Sequence, residues 1–124
     1  MNKVTDYITL DLGKSVSGII LDVLKGDTER QIVATLNKNG HPYTISSDVS
    51  ASMKAHLPSG VVVSIECEVE DSVITADIDT DVTSMAGIVE CEFCLTDTQE
   101  SQITSPMFEL RVKGILTVSA SEGV

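Results

Sequence analysis

Residues 49–69, VSASMKAHLPSGVVVSIECEV, constrain the fold of this chain more than any other stretch. Val49, Ala51, Met53, Ala55 and Leu57 fall on every second residue, and after a break Val61, Val63, Ile65, Cys67 and Val69 do the same. Side chains along a strand alternate between faces, so each run offers one apolar face to a core. Between the runs lies Leu57-Pro58-Ser59-Gly60. Pro58 presets φ and Gly60 accepts a positive φ, a pairing that reverses a chain. The stretch predicts a β-hairpin and a sheet protein. It predicts nothing about chemistry.

The same period recurs along the chain. Residues 7–12 read as the first strand, with Ile8, Leu10 and Leu12 set against Thr9 and Asp11, and residues 1–5 read as a loose or partly paired end. Residues 18–24, GIILDVL, form a second apolar run too short for a helix. Residues 30–38 follow with Ile32, Ala34 and Leu36 inward, then Asn39-Gly40, a strong hairpin signal because both residues accept a positive φ. Pro42 cannot donate to a ladder, so the return over residues 42–45 is placed at a strand start or on an edge. Residues 72–79 put Ile74, Ala76 and Ile78 inward. Residues 80–85 break the pattern, with Thr80 or Asp81 placed to cap one short helical turn and Gly87 to end it. Residues 88–96 set Val89, Cys91, Phe93 and Leu95 against Glu90, Glu92 and Cys94. Residues 103–112 form the last strand, broken at Ser105-Pro106, with Phe108, Leu110 and Val112 inward.

The result is about eight short strands at turn spacings expected of a β-sandwich or barrel, without the strand–helix alternation of an α/β chain. The 124 residues fit one domain. We place it at residues 1–114, with 115–124 as a tail or the start of a linker. Aromatics are limited to Tyr7, Tyr43, Phe93 and Phe108, so the core is built from aliphatic residues and Met.

Charge is unevenly placed. Residues 1–60 carry six Lys/Arg and six Asp/Glu, whereas residues 61–124 carry Arg111 and Lys113 against thirteen acidic residues. The net charge of −11 therefore lies in the second half, which repels nucleic acid and anionic membrane and attracts basic partners. The ordinary role of such charges is to keep a sheet soluble and its edges apart. Glu66, Glu68 and Glu70 form an outward row, read as a solvated or partner-facing surface. No apolar run approaches the ~18 residues of a membrane span. No signal peptide is visible, so the chain reads as cytosolic at synthesis.

Each residue pattern that could carry chemistry also has a plainer role. Cys91 and Cys94 make a CxxC, but an odd offset inside a strand sends the two sulfurs to opposite faces, and no second pair completes a metal site. Cys67 and Cys91 read as core residues, and three cysteines do not suggest a disulfide framework. Asp77, Asp79 and Asp81 give DxDxD, but the glycine and glutamate of a calcium loop are absent at Val82 and Ile88. His41 and His56, each beside a turn, read as surface histidines. There is no nucleophile elbow, P-loop or GxGxxG, and no basic patch interleaved with aromatics. We therefore assign no catalytic, cofactor-binding or metal residue and expect no enzyme and no cofactor.

Five stretches in order carry a resemblance. They are LNKNGHPY at 36–43, KAHLPSG at 54–60, ITADI at 74–78, AGIVECE at 86–92 and ITSPMFELRV at 103–112. In sequence and spacing they resemble the N-terminal domain of the phage baseplate upper protein family, over roughly residues 5–113. Ser59 departs from the acidic residue usual before that hairpin glycine. The resemblance implies an immunoglobulin-like antiparallel β-sandwich. It also implies a structural role in a phage or prophage tail: anchoring or assembling tail-tip proteins in the virion, with other tail or baseplate proteins as partners and self-association as a further expectation. The alternative is a calcium- or carbohydrate-binding adhesin-like sandwich, for which the chain offers few exposed aromatics.

Overall fold

The computed structural model describes residues 2–114. The alternating segments become strands close to where the pattern places them. They are β1 (Val4–Asp11), β2 (Val16–Leu24), β3 (Arg30–Lys38), β4 (His41–Pro42), β5 (Ser50–His56), β6 (Val62–Glu70), β7 (Val73–Ile78), β8 (Gly87–Thr96), β9 (Gln102–Thr104) and β10 (Met107–Lys113). A four-residue helix, α1 (Thr80–Thr83), links β7 to β8. No helix among the described residues is long and apolar enough to cross a membrane.

The faces are as the alternation assigns them. Ile8 and Leu10, Ile32 and Leu36, Ile74 and Ile78, Met53 and Ala55, Phe93 and Leu95, and Leu110 and Val112 are all buried. The opening hairpin closes with Leu57 N–H donating to Val61 O (2.9 Å) and Gly60 N–H donating to Leu57 O (2.9 Å). Asn39 (φ 52°) and Gly40 (φ 83°) both take the left-handed region that a two-residue hairpin turn demands.

Neighbours are a different matter. The hydrogen-bonded order is β1-β3-β7-β6-β5-β8-β10-β2, with β4 added to β3 and β9 to β8. The end strands β1 and β2 are consecutive in the chain and touch, yet share no ladder. The chain is thus all-β, a sheet nearly closed into a barrel. β6 turns the corner between layers: Val62–Cys67 pair with β5, whereas Glu68–Glu70 pair with β7.

This departs from the expected antiparallel sandwich of about eight strands. There are ten strands: the expected short return is β4, and the expected last strand is split at Ser105-Pro106 into β9 and β10. Two ladders are parallel, β1 with β3 and β2 with β10. Parallel neighbours need a crossover, and β2 supplies the one between β1 and β3 by crossing to the other layer. At the end expected to be loose or partly paired, Val4 and Thr5 pair in β1 with Arg30 and Gln31. Smaller expectations change. The helix cap is Asp79, not Thr80 or Asp81: its Oδ1 accepts from Asp81 N–H at 3.0 Å. Gly87 does not end the helix but starts β8. The expected tail at 115–124 lies outside the described residues.

α1 is anchored to the β2–β3 turn. Val82 and Thr83 are buried, and Thr83 Oγ1 donates to Asp27 O at 2.9 Å while Gly26 N–H donates to Thr83 O at 2.9 Å. Within the same core Phe93 and Phe108 stack with ring centroids 5.5 Å apart.

Candidate functional site

The residues singled out in the sequence are scattered by the fold, and each has a local role. Cys91 is buried and Cys94 half-buried on opposite faces of β8, so the CxxC does not converge. Burial pushes the Cys67 and Cys91 thiols up to about 12, which keeps both protonated and poor as nucleophiles or metal ligands. The three aspartates of DxDxD have separate partners or none. Asp77 Oδ1 pairs with Lys3 Nζ (2.7 Å) and accepts from Gln31 Nε2 (3.0 Å), and these bonds lower its pKa, the Lys3 bond first. Asp79 caps α1, and Asp81 is exposed in its first turn. Among the described residues no three His, Cys, Asp or Glu side chains are grouped to hold a metal ion. The calcium reading therefore gains no support. His41 lies on β4 and His56 at the end of β5, both exposed, on different layers.

The acidic row of β6 is divided by the corner. Glu66 sits opposite Ser52 of β5, while Glu68 and Glu70 sit opposite Thr75 and Val73 of β7. The three carboxylates do not make one flat surface.

What the fold assembles instead is the outer face of the layer β6-β5-β8-β10-β2. Register places Val62 beside His56, His56 beside Glu90, Glu90 beside Glu109 and Glu109 beside Ile20. The next row joins Ile88, Arg111 and Asp22. Val16 and Leu24 are exposed on the same face of β2, although Ile19, Leu21 and Val23 already face the core. The one available hint was that GIILDVL is apolar on both faces, which a half-buried strand does not require.

Two polar devices hold this layer and escaped the sequence reading. Ser105, buried in the break between β9 and β10, accepts from Phe93 N–H at 2.9 Å and donates to Pro106 O at 3.0 Å. In β2, Ser17 Oγ donates to Met107 O (2.8 Å) and accepts from Ile19 N–H (3.1 Å), which stabilises a bulge where the register with β10 shifts.

Comparison with known proteins bears on the chain as a whole. The family model described as the BppU N-terminal domain matches residues 4–121. No curated protein matches. Among solved structures, the N-terminal domain of phage TP901-1 ORF48 superposes with a TM-score of 0.72 at 16% identity, covering 88% of this chain and 98% of that one. At that identity the likeness speaks to the fold.

Proposed function

The chain belongs to the BppU N-terminal domain family of phage baseplate structural proteins, and from that premise we propose that it assembles a tail tip by protein–protein contact. In this reading it anchors neighbouring baseplate proteins in the virion and carries out no catalysis. The observation that carries the proposal is the family match over residues 4–121, nearly the whole chain. The fold supports it: the interior is filled by side chains such as Leu10, Met53 and Phe93, and apolar side chains are also presented outward on β2, β6 and β8. Contacts of this kind draw affinity from buried patches and not from a pocket.

The test is light scattering coupled to size exclusion. The chain is run alone and mixed with each tail protein encoded beside it. A stable complex of defined stoichiometry is expected with at least one of them, and the run of the chain alone reports its self-association. A strict monomer that joins none of them at any concentration sinks the reading.

A further inference from the structure

We propose that the outer face of the β6-β5-β8-β10-β2 layer, centred on Glu90 and Glu109, receives a basic side chain that a partner protein presents between apolar ones. This rests on the protein-contact reading above and gives that contact a place and a chemistry.

Glu90 and Glu109 sit directly opposite each other on adjacent antiparallel strands. Like charges so placed destabilise a ladder. Among the described residues neither carboxylate is in a salt bridge; the acidic partners used are Asp22, Asp27 and Asp77. The pair is bracketed by apolar surface. Val62 at one end of its row is 51% exposed, Ile20 at the other end 47%, and Ile88 in the next row 40%. Basic groups of the chain itself lie near the pair, His56 beside Glu90 and Arg111 two residues along β10 from Glu109, but among the described residues neither forms a salt bridge with it, and the acidic pair shares its face with the exposed aliphatic side chains.

Charge selects the occupant. A Lys or Arg seated over Glu90 and Glu109 removes their repulsion, while apolar side chains on either side of it cover Val62, Ile20 and Ile88. A second copy of this chain brings the same acidic pair and a net charge of −11, so long-range repulsion opposes it. Polyanions are opposed for the same reason.

Titration calorimetry of the full chain with the purified tail proteins encoded beside it tests the proposal. Three variants are compared with the unaltered chain: Glu109→Lys, the milder Glu90→Gln, and Glu68→Lys on the other layer. Glu109→Lys is expected to weaken binding on the order of tenfold or more, Glu68→Lys to leave it unchanged, and rising salt to weaken the unaltered complex. Glu90→Gln is expected to melt at or above the temperature of the unaltered chain, because it removes the repulsion, and to bind more weakly. Equal binding by Glu109→Lys and the unaltered chain overturns the proposal, as does equal weakening by Glu68→Lys. Self-association that Glu109→Lys abolishes would make the occupant a second copy and overturn it as well. If the unaltered chain binds none of the tail proteins, the assembly reading itself falls and this inference with it.

Discussion

Ser105 and Phe93 are joined by two hydrogen bonds in opposite directions. Ser105 N–H donates to Phe93 O at 2.8 Å, and Ser105 Oγ accepts from Phe93 N–H at 2.9 Å. The side chain thus continues the ladder across the point where Pro106 interrupts it. Phe93 is fully buried and stacks on Phe108, so its amide has no access to water. Replacing Ser105 with Ala would orphan that amide at a cost of about 1–3 kcal/mol. Urea denaturation should show the loss as a lower midpoint with an unchanged slope.

Gly87 is held against Pro58. A Cβ at Gly87 would lie 2.7 Å from Pro58 Cγ, and its φ of 136° disfavours any other residue. Gly87→Ala should destabilise by about 1–3 kcal/mol. Adding Pro58→Ala should recover the part due to the clash and leave the part due to φ. A double-mutant cycle by thermal melting measures the split, and full additivity would show that the two sites do not meet.

Asp11 ties three backbone amides together: Gly13 (2.8 Å), Asn39 (2.9 Å) and Gly40 (2.8 Å). These bonds, Gly13 first, hold its carboxyl below the usual range. Asp27 is lowered in the same direction, chiefly by Arg30, and Asp77 chiefly by Lys3. A folded-state pKa below the unfolded one stabilises above the unfolded value, roughly pH 4 for Asp. That stability is lost as pH falls through the folded value. The urea midpoint should therefore be nearly flat across about pH 5–7 and fall below about pH 4. Asp11→Asn should lower the neutral plateau and flatten the acid limb.

Cys67 and Cys91 are kept as thiols by burial, with pKa values pushed up to about 12. In the folded protein both should resist iodoacetamide at pH 8, whereas all three cysteines should label after denaturation. Mass spectrometry of the peptides reads this out directly. Rapid labelling of Cys91 in the native protein would show that β8 opens far more readily than its buried ladder implies.

The sequence by itself determined which side chains face the core. Period-two alternation assigned Met53, Ile74, Phe93 and Leu110 inward and Glu90 and Glu92 outward, because the pleat leaves each strand only two faces. It also placed the hairpins at Asn39-Gly40 and Pro58-Gly60, where local φ chemistry suffices. Tertiary structure decided who stands beside whom. Alternation is blind to neighbours: a strand that is half buried reads the same beside a parallel or an antiparallel partner. So the parallel ladders of β1 with β3 and β2 with β10, and the division of Glu66 from Glu68 and Glu70 at the corner in β6, were not legible. The Glu90–Glu109 pair belongs to the same class. Its members lie on β8 and β10 with β9 between them in the chain, and only packing in three dimensions fixes that register.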